Sequence, residues 1–175
     1  MKKALNIIFI VIGVLVLALY GVRTYTKSHS PFEKLTAKGK RDLKVELGYC
    51  RPLMKERKIF GELIPYNTVW RTGANEATTI SFSRTCTFGK RKVKDGKYSL
   101  WTIPGEKYWT IILNTETGQW GTNYDETKDY LRFKIEAGKT QKPIEQLTIK
   151  LNEVAEGGID LTLNWENTEL NIPIR

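Results

Sequence analysis

The heptapeptide Lys97–Ile103, KYSLWTI, largely alternates polar with apolar side chains and carries two aromatic residues. Pro104 and Gly105 interrupt it, and a more continuous apolar run then extends from Tyr108 to Leu113. A two-residue period is typical of a β-strand, and a Pro-Gly pair is typical of a turn. These residues therefore predict two consecutive strands in a β domain.

The same pattern continues on both sides of this pair, with turn residues between the segments. Further strands are predicted at residues 44–49, 78–83, 131–135, 146–151, 159–165 and 170–172. Eight or nine short strands within residues 42–175 are typical of a single antiparallel β-sandwich, of jelly-roll or immunoglobulin-like topology. The fold class is therefore all-β, with one helical turn expected around Tyr124–Asp129, where Asp125 is a suitable N-cap.

The first 22 residues form a different kind of segment. Lys2 and Lys3 precede an apolar run from residue 4 to residue 22, which as a helix would measure about 28 Å, close to the thickness of a bilayer core. A secretory signal peptide usually has a shorter apolar core that ends in small residues. The sequence therefore predicts an uncleaved membrane anchor at residues 1–22, with cleavage near Gly21 as the alternative.

The formal net charge of +9 is concentrated next to this anchor. Residues 1–58 hold 13 basic and 4 acidic residues, whereas residues 59–175 hold 15 of each. Residues 23–41 are polar and basic, and we expect them to form a juxtamembrane linker that attracts anionic lipid. Because the rest of the chain has no basic excess, nucleic acid is not an expected partner.

The orientation of the anchor does not follow from charge alone. Basic residues lie on both sides of the apolar run, and a simple count within about 20 residues of it favours a cytoplasmic domain. A short N-terminal tail with a lysine pair is, however, the usual form of an anchor whose N-terminus stays inside the cell. We expect this second arrangement, which gives a single-pass protein with an extracytoplasmic domain. No cysteine lies near the run, which excludes a lipoprotein anchor.

The domain offers little catalytic chemistry. The one histidine, His29, lies in the predicted linker, so neither a histidine-activated nucleophile nor a histidine zinc site is expected. Cys50 and Cys86 either form a disulfide or are two separate thiols. The acidic residues near Tyr124 lack the spacing of a calcium loop, and there is no glycine-rich phosphate loop. No metal and no cofactor are therefore predicted.

The densest polar segment is residues 70–78, WRTGANEAT. An arginine can hold a carboxylate or phosphate through two parallel hydrogen bonds, and a neighbouring amide and carboxylate can orient hydroxyl groups. A tryptophan that follows a turn, such as Trp120, is a candidate platform for stacking on a sugar. The alternative is a structural loop in which Arg71 pairs with Glu76. The predicted binding residues are Arg51, Arg57, Arg71, Asn75, Glu76 and Trp120.

Six segments of the domain are similar to those of a bacterial family of uncharacterised envelope proteins. They are RPxMKxRxIFG at 51–61, LIPYNxVWRTGANEAT at 63–78, GKYSLWTIPG at 96–105, WTIILN at 109–114, QWG at 119–121 and WENT at 165–168. In this order they resemble domain of unknown function 2911 (DUF2911) over about residues 42–174. The resemblance implies an all-β envelope domain behind an N-terminal export signal, and no activity. Cys50 stands where the family pattern has serine, which implies that no nucleophile is required there.

Three classes of function follow from these observations. The first is a non-enzymatic, membrane-anchored module of the bacterial envelope or periplasm that binds an envelope protein or a small anionic or glycan ligand. The second is a hydrolase without histidine that uses Glu76 as acid or base. The third is an accessory subunit of a membrane complex, in which the anchor helix would itself be an interface.

Overall fold

The computed structural model describes residues 2–175, with side chains from residue 6 onward. Helix α1 (Lys2–Ser28) includes a candidate membrane span, Asn6–Ser28, whose most apolar window has a mean hydropathy of 2.4 and is not buried against the domain. By length and composition this helix can cross a bilayer, either as a single span or as a signal sequence. The apolar run thus projects away from the folded part of the chain.

Ten strands and two short 3-10 turns, Lys40–Asp42 and Glu126–Lys128, form the rest of the molecule. The strands are β1 (Phe32–Lys38), β2 (Lys44–Cys50), β3 (Thr79–Phe82), β4 (Cys86–Phe88), β5 (Arg91–Val93), β6 (Gly96–Ile103), β7 (Tyr108–Asn114), β8 (Asp129–Glu136), β9 (Gly138–Glu153) and β10 (Ile159–Ile174). The second 3-10 turn is the predicted helical turn, and the Asp125 side chain caps it by accepting the backbone N–H of Thr127 at 2.9 Å.

The strands form two antiparallel sheets. The larger sheet has the order β1-β2-β3-β6-β7-β8, and the smaller has the order β5-β4-β10-β9. The predicted all-β sandwich is therefore confirmed. The KYSLWTI segment is β6, which lies in the interior of the larger sheet between β3 and β7.

The main core lies between the two sheets and includes the fully buried Trp109 and Trp165. A second, smaller cluster contains Trp101 and Ala77 together with Ile112. Because neighbouring side chains of a strand point to opposite faces, this cluster covers the outer face of the larger sheet. The ring of Tyr124 packs on Trp101 at 4.9 Å and closes the cluster from outside. The segment that carries Ala77, and with it the predicted site, thus rests on a rigid surface.

The expected linker at residues 23–41 is not a separate segment in the structure. Helix α1 continues to Ser28, and β1 pairs with β2 along its whole length. The strand was not predicted because lysine and threonine fill three of its four exposed positions, and Glu33 shares the inner side with Leu35 and Ala37. The sandwich therefore begins at about residue 32 rather than at the predicted residue 42.

The remaining differences concern strand number and length. The short strands β4 and β5 were not predicted, because each has only three residues and too few for a visible period. The two segments predicted at 159–165 and 170–172 are one strand, β10, which is irregular at Glu166. Glu166 has a φ of 52°, and the register of β10 against β9 shifts there, so that the sequence pattern is interrupted while the strand continues.

The two cysteines are separate buried thiols, so the disulfide alternative is not formed. Cys50 ends β2 in the larger sheet, and Cys86 begins β4 in the smaller one. Burial raises the pKa of the Cys86 thiol to about 11. Both residues therefore behave as small core side chains.

Candidate functional site

Trp70 fixes the start of the polar segment to the core. Its backbone N–H donates to the carbonyl of Thr102 in β6 at 2.7 Å, and its own carbonyl accepts the Thr102 N–H at 2.9 Å. Its indole ring stacks on Trp165 of β10, with ring centroids 5.8 Å apart. The residue that precedes Arg71 is thus held by both sheets.

Residues 71–78, which we call the 71–78 loop, close on themselves. The Thr78 hydroxyl donates to the carbonyl of Thr72 at 2.9 Å, and the Thr78 N–H donates to the carbonyl of Arg71 at 3.3 Å. Thr72 and Asn75 have positive φ values of 54° and 58°. Asparagine tolerates this conformation, whereas a β-branched threonine adopts it only at an energetic cost. The loop is therefore a built structure that fixes where Arg71 and Asn75 point.

Arg71 is half-buried and has no counter-ion. Its Nη1 donates to the carbonyl of Gly121 at 3.4 Å, while its Nε is buried without a hydrogen-bond partner. No acidic side chain among residues 6–175 lies within ion-pair distance of it. Burial lowers the pKa of Arg71, because desolvation penalises the charged guanidinium. The side chain nevertheless stays protonated, since arginine does not lose its proton in proteins.

Asn75 lies beside Arg71 and is only 7% exposed. Its backbone carbonyl accepts the N–H of Gly121 at 2.9 Å, but its side-chain Nδ2 has no hydrogen-bond partner. The side chain of Arg71 and the backbone carbonyl of Asn75 both lie against Gly121. A Cβ atom there would overlap the Cδ of Arg71 and would stand 2.7 Å from the carbonyl oxygen of Asn75. Two buried donor groups therefore share one side of the loop without acceptors.

Both residues line a cavity of about 600 Å³, which we call the Arg71 cavity. Most of its wall is apolar and includes Trp70 and Trp165. Two further cations, Lys55 and Arg57, lie at its rim. Part of the wall comes from the end of α1 and the residues that follow it. The remaining lining residues are Tyr25, Thr26, His29, Ser30, Pro52, Leu53, Leu63, Ile64, Pro65, Thr68, Val69, Gly73 and Ala74.

Glu76 pairs with α1 and not with Arg71. The Lys27 Nζ lies 2.6 Å from Oε1 of Glu76, and the Arg23 Nη2 lies 3.6 Å from the same oxygen. Burial raises the pKa of Glu76, but the hydrogen bond and charge of Lys27 with the charge of Arg23 outweigh it, so that the pKa lies below its ordinary value. The predicted alternative of an Arg71–Glu76 ion pair is therefore wrong.

Glu76 also faces Cys50 in a separate cavity of about 350 Å³. The Cys50 Sγ donates to Oε2 of Glu76 at 3.8 Å. Burial raises the pKa of the Cys50 thiol, and the side-chain amide of Asn75, which lies near the sulfur but outside hydrogen-bond geometry, only partly offsets this. Among the residues that line this cavity, Glu76 is the only acid. The thiol of Cys50 is protonated and is therefore not an activated nucleophile. Glu76 is paired with Lys27 and has no second carboxylate beside it in the lining of this cavity.

The other three predicted residues have different surroundings. Arg51 donates from Nε to the carbonyl of Leu147 in β9 at 3.3 Å and pairs with Glu33 in β1 at 3.2 Å. It therefore links the two sheets. Arg57 donates to the carbonyls of Leu53 and Met54 at 2.9 and 2.8 Å. Trp120 forms an isolated bridge with Glu76, and the Arg23 guanidinium lies 5.8 Å from its ring. The structure therefore groups Arg57, Arg71 and Asn75 around one cavity, with Glu76 and Trp120 at the helix contact and Arg51 in a structural role.

Sequence reasoning missed Gly121 and the end of α1. Gly121 belongs to the QWG motif, which was noted, but its contact with Arg71 spans 50 positions of sequence and has no local signal. Tyr25 and His29, whose rings are 4.3 Å apart, were placed in a linker. Their four-residue spacing puts them on one face of a helix, and this was the available sign that α1 continues beyond residue 22.

Comparison with known families gives one match. The family described as Protein of unknown function (DUF2911) matches residues 30–174. The chain belongs to this family. The match covers the strands β1–β10 and the sandwich side of the Arg71 cavity, whereas Tyr25, Thr26 and His29 precede it. The resemblance noted from the sequence motifs is therefore confirmed, and the DUF2911 domain starts ahead of β1.

No curated protein matches the chain, and no solved structure does. The DUF2911 match supplies a family without an activity. The chemistry of this member therefore has to be taken from its own residues. Around the Arg71 cavity these provide hydrogen-bond donors, positive charge and apolar surface.

Proposed function

We propose that this DUF2911 protein is a non-enzymatic, membrane-anchored module that binds an anionic ligand in the Arg71 cavity. The observation that carries the proposal is the half-buried guanidinium of Arg71, which has no counter-ion among the described residues and whose buried Nε has no hydrogen-bond partner. A buried charge without a partner is strongly destabilising, and a charge-assisted hydrogen bond contributes about twice as much as a neutral one. A bound carboxylate or phosphate provides the missing partner.

Asn75 supports the same conclusion independently. An unpaired buried donor costs about 1–3 kcal/mol, so a native chain normally satisfies it. A carboxylate or phosphate has enough lone pairs to accept from both Arg71 Nε and Asn75 Nδ2. The 71–78 loop, with positive φ at Thr72 and Asn75, brings Arg71 and Asn75 to the lining of the same cavity, as expected for a preorganised site.

For the location of the protein, we propose that α1 is an uncleaved anchor and that the domain lies outside the cytoplasm, in the bacterial envelope. Lys2 and Lys3 stand ahead of the apolar run, which supports an N-terminus that stays inside. The helix also continues past Gly21, the alternative cleavage point, and reaches the domain through the Lys27–Glu76 ion pair. A helix that contributes to the wall of the binding site is a poor candidate for removal.

The hydrolase alternative has less support. Glu76 is the only acid that lines its cavity and is neutralised by Lys27. Hydrolysis by paired carboxylates requires a second acid about 5–10 Å away. The accessory-subunit alternative rests on the unburied face of α1 and remains compatible with an anion-binding domain.

The test is thermal unfolding of the full chain in a neutral detergent with a panel of soluble anions, namely acetate, succinate, inorganic phosphate and glycerol phosphate. A ligand at 100 times its dissociation constant adds about 2.7 kcal/mol of stability. We expect stabilisation of the wild type and of Arg91→Ala, which removes an exposed arginine of β5, but none of Arg71→Ala. Equal stabilisation of all three proteins would overturn the proposal.

A further inference from the structure

We infer that the ligand of the Arg71 cavity is a single-chain anionic amphiphile, that is, a carboxylate or phosphate that carries one apolar chain, drawn from the adjoining membrane. The inference rests on the proposed function and names the chemical class of its ligand. It depends on three properties of the cavity: its polar end, its apolar wall and its position beside α1.

The polar end selects the head group. Arg71 and Asn75 line the cavity, and their unpaired Nε and Nδ2 atoms are both donors, whereas Glu76, the one acid of the 71–78 loop, is paired with Lys27. The rim adds the positive charges of Lys55 and Arg57. Such a set accepts a group that has only acceptor atoms and a negative charge, as carboxylates and phosphates have.

The apolar wall requires the rest of the ligand to be apolar. A volume of about 600 Å³ is that of an ordinary organic-ligand site, and a bare inorganic anion would occupy a small part of it. Next to the polar end, the wall is formed by the buried Trp70, Trp165 and Ile64. Leu63, which is 47% exposed, continues this surface towards the opening. An apolar chain that covers this surface is favoured because apolar area is removed from water.

The position of the cavity indicates the source of the ligand. Tyr25 of α1 and His29, which directly follows the helix, form part of the wall, three and seven residues beyond the end of the apolar run at Val22. At 1.5 Å per residue these are distances of about 5 and 10 Å along the helix axis. With the apolar run in a bilayer, the cavity therefore lies at the level of the lipid head groups. A chain that leaves the bilayer reaches it without crossing bulk water.

The charges around this end of the domain favour the same source. Arg23 and Lys27 lie on α1, and Lys55, Arg57 and Lys58 lie on the segment after β2, all with exposed side chains. Basic residues beside a bilayer attract its anionic molecules. Anionic amphiphiles are thus concentrated where the cavity opens.

The experiment uses the full chain in nanodiscs of zwitterionic lipid, with tryptophan fluorescence as the signal, because Trp70 and Trp165 line the cavity. The probes are a fatty acid with a brominated chain, whose bromine atoms quench a nearby indole, and its methyl ester, which is neutral. The ester partitions into the same lipid, so the difference between the two probes reports the site and not the bilayer. Acetate and inorganic phosphate serve as soluble competitors.

We expect the brominated acid to quench the wild type and Arg91→Ala alike, at a concentration at least tenfold lower than the ester requires. Arg71→Ala should raise the concentration of the acid needed by at least tenfold. Leu63→Gln, a neutral polar change at an exposed position of the apolar wall, should weaken binding of the brominated acid while leaving the thermal response to acetate and phosphate unchanged. Near-ultraviolet circular dichroism of each variant verifies that the fold is intact, and Arg71→Lys provides a variant that keeps the charge.

The outcomes separate this inference from the proposed function. If acetate or phosphate binds as tightly as the brominated acid and its binding depends on Arg71, the ligand is a small soluble anion. The inference of an amphiphilic ligand is then wrong, while the proposed anion site is supported. If the acid and the ester quench equally and Arg71→Ala changes neither, the anion site itself is wrong. If neither probe quenches the fluorescence, the inference of an amphiphilic ligand is also wrong. The thermal-unfolding panel of soluble anions then tests the proposed anion site by itself.

Discussion

Replacement of Gly121 by alanine is the sharpest test of the Arg71 site. A Cβ atom at this position would overlap the Cδ of Arg71 and would stand 2.7 Å from the carbonyl oxygen of Asn75, where ordinary contacts begin at 3.4 Å. The Asn75 carbonyl cannot easily retreat, because it accepts the N–H of residue 121 at 2.9 Å. Either the arginine leaves its place or the backbone separates from the 71–78 loop.

The size of the effect follows from this overlap. Forcing extra volume into a well-packed site typically costs about 1–3 kcal/mol. For a domain of this length, 1 kcal/mol corresponds to a shift of about 2–4 °C in Tm. We therefore expect Gly121→Ala to lower Tm by roughly 4–8 °C, if the cost is about 2 kcal/mol, and to abolish the stabilisation by anions although Arg71 is still present.

The assay is urea and thermal unfolding of the full chain in a neutral detergent, followed by tryptophan fluorescence. Gly138→Ala is the matched control, because the nearest atoms to a Cβ there, both of Glu169, lie at 3.7 and 3.9 Å. Its unfolding free energy should stay within about 0.5 kcal/mol of the wild type. In an Arg71→Ala background the cost of Gly121→Ala should fall by about 0.5–3 kcal/mol, since the Cδ is no longer there.

Two results would refute this reasoning. One is a Gly121→Ala protein as stable as Gly138→Ala that still responds to anions. The other is strict additivity of the Gly121 and Arg71 substitutions, which would mean that the two side chains do not share the space that the structure gives them.

Three further predictions follow from the same contacts. Arg71→Met keeps the shape of the side chain and removes the unpaired charge, so without ligand the unfolding free energy should be unchanged or higher by about 1 kcal/mol; a loss of 2 kcal/mol or more would instead make Arg71 a structural residue. Glu76→Gln removes the ion pair with Lys27 and should cost less than about 1 kcal/mol at pH 7, because both side chains are partly exposed. Since the folded pKa of Glu76 is lowered, this difference should be present above about pH 4.5 and vanish as the pH falls through the folded pKa, as measured by urea unfolding of both proteins from neutral to acidic pH. Cys50 and Cys86 should resist alkylation at pH 8 in the native protein and react fully in denaturant, as shown by intact mass; rapid native labelling would contradict their burial.

The regular strands were predictable because their two-residue period survives in the sequence. β6 is the clearest case, since Tyr98 and Leu100 face one core and Trp101 faces the other. β1 could not be recognised in the same way, because an edge strand pairs through its backbone and tolerates charged side chains, here Glu33, Lys34 and Lys38. The irregularity of β10 at Glu166 could not be recognised either. A single residue with positive φ interrupts the two-residue period, so the sequence on its two sides predicts two separate strands.

The candidate site was predictable in its residue types but not in its pairings. The WRTGANEAT segment correctly marked Arg71 and Asn75 as neighbours in one loop. It could not show that Glu76 pairs with Lys27, 49 residues earlier, because that contact depends on where α1 ends. The role of Gly121 was hidden for a similar reason, since it is the absence of a side chain that makes room for Arg71.

The short connection between α1 and the sandwich also limits where the domain can meet the proposed ligand. Only residues 29–31 separate α1 from β1, and fully extended they span at most about 10 Å. A flexible linker of 19 residues would have a mean end-to-end distance of about 24 Å. With α1 in a bilayer, the domain is therefore held at a fixed height and diffuses in two dimensions. Molecules confined to the same leaflet meet the cavity at a high effective concentration, while molecules deeper in the surrounding compartment have to come to the membrane.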